Sequence, residues 1–246
     1  MARGMENKLY RDFYELQETH WWFVARTQII LTILKKYVHT PDNFILDTGC
    51  GTGVMLPHLK LFGKVTGIDS SITALNFSKK GGSYFLLCAS IENMPFKENI
   101  FGIITALDVI EHIENDIKAL KEINKILGEK GIILITVPAF KFLWSRHDEI
   151  NQHKRRYTRK KLREKVEASG FNVLRITYAN LFLFPFIAFV RFLEKFKRVK
   201  FKSDLDRKIP SVLNKILIQI FSFEKYFLRK FDFPIGVSLI CVARKK

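Results

Sequence analysis

The residues best placed to do chemistry are an acid, three glycines at alternate positions and a second acid: Asp47, Gly49, Gly51, Gly53 and then Asp69. The glycines follow the apolar run Phe44-Ile45-Leu46, so the backbone there can approach a ligand with no Cβ in the way. Asp69 closes a second apolar run, where a carboxylate can accept hydrogen bonds from ribose hydroxyls in a doubly wound sheet. Together these residues describe a nucleoside pocket. The dinucleotide fingerprint G-x-G-x-x-G brings a pyrophosphate to a helix N-terminus. Here the order is D-x-G-x-G-x-G, and the carboxylate before the first glycine is a poor neighbour for a pyrophosphate but a good one for a cation. A ligand with a nucleoside at one end and an ammonium and a sulfonium at the other is S-adenosylmethionine. Thr48, Cys50, Ser70 and Leu107, in or beside these turns, complete the expected contact set.

A second group, Asp108, Glu111 and His112, follows the apolar run Phe101 to Leu107. At spacing i, i+3, i+4 on the start of a helix these side chains share one face. They could serve as a general base or hold a divalent metal, either of which activates a hydroxyl acceptor. Asp108 with Glu111 also reads as a capping box, which satisfies backbone N–H groups without catalysis. A third group lies further on: His147 and His153 as candidate bases, with Arg155 and Arg156 suited to a phosphate or carboxylate on the substrate. Thr158 reads as the N-cap of the next helix. Methyl transfer from a sulfonium needs in-line positioning and exclusion of water rather than a covalent intermediate.

The elements that must position these groups alternate short apolar runs with helical segments, which points to a parallel sheet. After Asp69 come a helix over Ile72 to Lys79, a strand over Tyr84 to Cys88, the segment Ala89-Ser90-Ile91-Glu92-Asn93-Met94-Pro95-Phe96, and strands over Phe101 to Leu107 and Gly131 to Pro138. In this order and in its glycine loop, the stretch 44 to 137 resembles the core of the class I S-adenosylmethionine-dependent methyltransferases. The resemblance implies an α/β fold: a doubly wound, seven-stranded, mostly parallel sheet of Rossmann-like type. It also implies that Asp47 and the glycines hold the methionine end, Asp69 the ribose, and Ser90 with Ile91 the adenine. Ser90 stands where the family's G-D-A-E-x-L-P-F stretch has aspartate.

The Glu111-His112 pair is similar to that of quinone-biosynthesis O-methyltransferases, which implies a divalent-metal site at Asp108, Glu111 and His112. The N-terminal run His20-Trp21-Trp22-Phe23-Val24-Ala25-Arg26 is similar to a pattern in bacterial and archaeal members. It implies a helical lid in residues 1–40, with Trp22 bordering the site and Arg26 pairing with the methionine carboxylate. The core would then occupy 41–178 and 234–246.

Between the sixth expected strand, Phe171 to Tyr178, and the seventh, Ile235 to Arg244, lies a long insertion, 179–233. It holds 12 of the 23 phenylalanines, interleaved with Lys195, Lys197, Arg198, Lys200 and Lys202. An insertion of this length usually carries structure and function of its own. Its apolar run Ala179 to Val190 is too short to cross a bilayer, which takes roughly 20 residues. Val212, Leu213, Ile216, Leu217, Ile220, Phe223 and Phe227 follow at helical spacing. Such a helix can lie on an anionic membrane surface, line a pocket for a long apolar acceptor, pack on the sheet, or pair in a homodimer.

The formal net charge is +17, with eight basic residues among the twelve from Lys154 to Lys165. That density suits nucleic acid phosphates, an anionic surface or a solvated helix face. Cys50, Cys88 and Cys241 lack metal-ligand spacing and read as reduced thiols of a cytosolic protein. The first 20 residues lack the apolar core of a signal peptide, so a cytoplasmic protein, peripheral on the membrane in the interfacial reading, is expected. The sequence thus predicts methyl transfer to an oxygen, or otherwise a carbon or nitrogen, of a hydrophobic or anionic small-molecule or lipid-linked acceptor. RNA methylation through the basic face and a non-catalytic donor-binding subunit are the competing readings.

Overall fold

The computed structural model describes residues 3–40, 43–197 and 209–246, with backbone alone for 3–7 and 195–197. Arg198, Lys200 and Lys202 of the insertion lie outside the described residues. The chain runs α1 (Arg3–Leu16), α2 (Trp21–Tyr37), β1 (Asn43–Thr48), α3 (Leu56–Leu59), β2 (Gly63–Asp69), α4 (Ile72–Ser78), β3 (Phe85–Cys88) and β4 (Phe101–Leu107). It continues through α5 (Asp116–Ile126), β5 (Leu127–Pro138), α6 (Arg146–Ile150), α7 (Arg159–Ala168), β6 (Phe171–Ala179), α8 (Phe184–Lys197), α9 (Ser211–Leu228) and β7 (Ser238–Lys245).

The strands form one sheet in the order β3-β2-β1-β4-β5-β7-β6. The first five are parallel, and β7 enters antiparallel between β5 and β6. The central strands β1, β4 and β5 are covered on both faces. Ile45, Leu46, Ile103, Ile104, Ile133, Leu134 and Ile135 are accordingly at most 1% exposed. Strands buried on both sides read as continuous apolar runs, which is why they were visible in the sequence. The order reverses between β1 and β4, and ligands of open α/β sheets bind at the carboxyl ends beside such a reversal.

One local expectation fails. Residues 108–113 form tight turns, His112 N–H donating to Val109 O and Ile113 N–H to Ile110 O, and no helix starts there. The helix begins at Asp116, capped by Asn115, whose side chain accepts from the Lys118 N–H. Asp108 and Glu111 therefore form no capping box. Asp108 has φ +55°, a left-handed conformation incompatible with a helix N-cap, and Asn115 followed by Asp116 is the stronger helix start.

Candidate active site

The donor end is built largely from backbone. Gly49, Gly51 and Gly53 all take positive φ, and a Cβ on Gly49 would lie 2.6 Å from Val109 Cγ2. That contact sets the 108–112 turn directly against the glycine loop. A Cβ on Gly51 would meet nothing within 4 Å, so this peptide faces open space. Asp69 holds the loop, accepting from Gly51 N–H at 2.9 Å and Ser71 N–H at 2.8 Å. A carboxylate offers about four lone-pair sites, the acceptor chemistry that ribose hydroxyls require.

Asp47 is 3% exposed and accepts a hydrogen bond from Thr105 Oγ1 at 2.6 Å. Burial pushes its carboxyl up to about 7, against that hydrogen bond and the field of Arg26. It has no ion-pair partner among the described residues. A buried acid awaiting a cation, beside an open glycine backbone and a ribose-ready acid, fits S-adenosylmethionine.

The neighbouring side chains divide by direction. Thr48 is fully buried and donates to Thr105 O, and Cys50 packs with Leu56 and Leu75, so only their backbones remain for the donor. Burial also pushes the Cys50 thiol up, which keeps it protonated. Ser70 and Ser90 are exposed, Ile91 is buried and Leu107 half-buried. Ser90 Oγ accepts from Glu92 N–H at 3.2 Å, shaping its own turn.

The acceptor end is assembled from distant segments. Glu111, His112 and His153 each bring a ligand-capable atom within 4.8 Å of the others. This corrects the expected triad: His153 takes the place of Asp108. Asp108 turns to Arg26, with an ion pair of 2.8 Å, while Arg26 and Asp108 both hydrogen-bond Thr136 Oγ1. The guanidinium expected on the donor's carboxylate thus has a protein carboxylate partner, and the pair ties α2 to the ends of β4 and β5.

Glu111 is fully buried, and neither carboxyl oxygen has a hydrogen-bond partner among the described residues. Burial, then the nearby Asp108, pushes its carboxyl well above the usual range. An unsatisfied buried polar group costs about 1–3 kcal/mol, so its retention calls for a reason. His112 is brought down to about 4 by burial and by His153, against the influence of Asp108, and stays neutral.

Asp148, which the sequence reading assigned no role, organises this end. It accepts from His153 Nδ1 at 2.8 Å and from Arg156 at 2.8 and 2.9 Å, and closes a capping box with Ser145. Burial raises its carboxyl, but the His153 and Arg156 hydrogen bonds win and hold it below the usual carboxylate range. With Nδ1 committed to Asp148, His153 keeps Nε2 for other chemistry. His147 stands alongside, its ring centroid 6.1 Å from that of His153 and its Nε2 3.1 Å from Asn151 Nδ2. The S-x-x-D spacing of Ser145 and Asp148 was the available signal for this anchor.

The basic run is largely spent internally. Lys154 pairs with Glu114, Arg155 and Lys165 with Asp116, Arg156 with Asp148, and Arg163 with Glu167. Arg159 donates to Phe233 O and stacks over Tyr178. Arg155 and Arg156 are therefore braces: Arg155 meets Asp116 and the Glu114 carbonyl, and Arg156 meets Asp148 and the Ala139 carbonyl.

The helices complete the site. Trp22 of α2 lies against Phe221 of α9, ring centroids 5.4 Å apart. With Arg26, Thr136 and Ser238 they line a cavity of about 10 Å³ beside the ends of β5 and β7. That is room for about one water.

A mostly parallel seven-stranded sheet, with a glycine loop and the acid that holds it at the switch point and a buried polar cluster beside them, is the arrangement of a nucleoside-binding α/β domain. The chain belongs to the methyltransferase-domain family, whose model matches residues 21–176. It is 30% identical over 127 residues to the tRNA U34 carboxymethyltransferase of Campylobacter curvus, covering 48% of this chain and 41% of that one. It is 28% identical over 164 residues to the mitochondrial ubiquinone biosynthesis O-methyltransferase of Dictyostelium discoideum, covering 51% of each. The chain thus spans about half the length of the curated relatives it matches. Its fold is also that of a chain in the complex between the Haloferax volcanii Trm112 methyltransferase activator and a methyltransferase, with a TM-score of 0.65 at 16% identity. That match covers 100% of this chain and 97% of the other.

Proposed function

We propose that the enzyme methylates an oxygen of a hydrophobic or anionic small-molecule or lipid-linked acceptor, with His153 as the general base. The observation that carries this is the Asp148–His153 hydrogen bond, set beside the buried Glu111 and His112 against the donor loop. Asp148 orients the imidazole and stabilises its charge when His153 takes the hydroxyl proton, the logic by which an aspartate supports a catalytic histidine. Burial favours the neutral carboxyl of Glu111, which in that form donates a hydrogen bond to the acceptor oxygen, and neutral His112 lines the same wall. Asp47 is suited to the donor's ammonium and Asp69 to its ribose. S-adenosylmethionine supplies the activated methyl group. Trp22 and Phe221 are suited to cover an apolar acceptor and exclude water.

The likeness to a ubiquinone biosynthesis O-methyltransferase supports an oxygen acceptor. The likeness to a tRNA-modifying enzyme favours RNA as the second reading, but the ion pairs within 154–165 leave that run few free cations. Incubation with methyl-labelled donor and fractionated cell extract tests the choice. Label in the lipid or small-molecule fraction is expected. Label confined to RNA would replace the proposal, and donor binding without any transfer would favour a non-catalytic subunit.

Glu111, His112 and His153 also fit a divalent cation, since a carboxylate and two imidazoles suit such ions. A metal bound there would lower the pKa of the acceptor hydroxyl. Calorimetric titration of metal-stripped protein with Mn²⁺ and Zn²⁺, wild type against Glu111→Gln, tests it without relying on turnover. A cation site would give saturable binding that the substitution abolishes.

A further inference from the structure

Helix α9 carries two apolar faces, and they have different fates. One face packs on α2: Phe221 meets Trp21 and Trp22, Lys225 bonds Gln28, and Asn214 accepts from Trp21 N–H and donates to Thr19 O. The opposite face carries Ile216, Phe223 and Phe227, exposed by 45%, 51% and 40%. Helix α8 repeats the arrangement, with Phe186, Phe189 and Phe192 exposed by 67%, 59% and 56% at one-turn spacing. Phe182, just before α8, lies against the α9 face, its ring 6.3 Å from that of Phe223 and 5.9 Å from that of Phe227. Soluble monomers seldom expose large apolar faces without using them.

Charge selects the occupant. From Phe184 to Phe231 the sequence has twelve lysines and arginines against four acids. Of those acids Glu194 is paired with Arg191, and Glu224 is buried under the Asn180 and Phe182 N–H groups. Lys215, Arg229 and Lys230 are exposed on α9 or just past its end. A second copy of this face would bring like charges together, whereas an anionic bilayer offers both the apolar depth and the negative surface. No helix among the described residues is long and apolar enough to cross a membrane.

We propose that the exposed faces of α8 and α9 are an interfacial anchor that seats the enzyme on an anionic lipid surface. The anchor stands whatever the acceptor is, because donor loop and base cluster take no part in it.

The test is flotation of the full chain with phosphatidylcholine vesicles, with and without phosphatidylglycerol, at low and high salt. The wild type is expected to float with the anionic vesicles and to be released by salt. Phe189→Glu with Phe223→Glu should weaken this at least about tenfold, while calorimetric donor binding, which reports an intact fold, stays unchanged. Lys215→Glu with Lys230→Glu, a milder surface change, should lose the preference for anionic lipid. Failure of the wild type to float, or undiminished flotation of the phenylalanine variant, overturns the proposal. So does a sedimentation dimer that the phenylalanine variant dissolves while the wild type ignores vesicles. Recovery of salt-sensitive RNA binding on this face in place of vesicle binding does the same.

Discussion

The donor and acceptor ends of this site touch, yet they are built on opposite plans. The donor end uses residues 47–53 and 69, close in sequence, and relies on backbone conformation: positive-φ glycines, one loop-holding carboxylate and one buried acid. The acceptor end gathers Glu111, His112, Asp148, His153 and Arg156 from separate segments and relies on side-chain hydrogen bonds. A ligand common to a whole class can be recognised by local geometry. An acceptor particular to one enzyme is met by side chains that only the fold brings together.

The contrast can be broken most severely at Glu111. Glu111→Gln is expected to lower the methyl-transfer rate by about 10²–10⁴-fold, the usual reach of acid–base catalysis, with donor affinity unchanged by calorimetry. Equal loss of both would mean that the two ends are not separable. Asp148→Asn should act on stability as well as rate, because it leaves Arg156 and His153 buried without their partner. A loss of about 3–5 kcal/mol in urea unfolding is expected, and a loss within error would remove Asp148 as the organiser.

Glu224, on the buried side of α9, gives a pH test. Burial raises its carboxyl to about 7, against the N–H groups of Phe182 and Asn180, from an unfolded value of 4.5. The folded state therefore binds the proton more tightly, and stability falls as pH rises from about 4.5 to about 7. The change is about 3 kcal/mol. Urea melts across that window should show a flatter slope for Glu224→Gln, whatever its absolute stability.

At the donor end, Asp69→Ala should weaken S-adenosylmethionine binding roughly 100-fold through lost charge-assisted hydrogen bonds and a loosened loop. Unchanged affinity would undo the assignment of the ribose acid. The smallest effect is expected on the exposed face of α7. Lys160 has only a 3.9 Å contact with Glu164, and Lys160→Glu with Lys161→Glu should change stability by less than about 0.5 kcal/mol. A large loss of RNA binding or of transfer in that variant would return the basic run to the functional surface.

The strands were legible because burial on both faces leaves near-continuous apolar runs, as at Ile103-Ile104 and Ile132 to Ile135. The glycine loop was legible because its constraint is local. The turn over 108–113 was misread because the helical spacing of Asp108, Glu111 and His112 looked decisive, while Asn115 with Asp116 carried the true start. Pairing of Asp108 with Arg26 was out of reach, since it joins residues far apart in the chain. The basic run illustrates the same limit: its density was plain, but Asp116 and Asp148, which absorb much of it, are placed by tertiary contacts.

By itself, then, the sequence determined the parallel sheet, the donor loop and the class of cofactor, because apolar periodicity and glycine spacing act over neighbouring residues. Tertiary structure alone decided that Asp108 pairs with Arg26, that His153 joins Glu111 and His112, and which face of α9 meets α2 and which meets solvent. Those outcomes depend on burial and on charge pairing across long stretches of chain, and neither is set until the helices pack on the sheet.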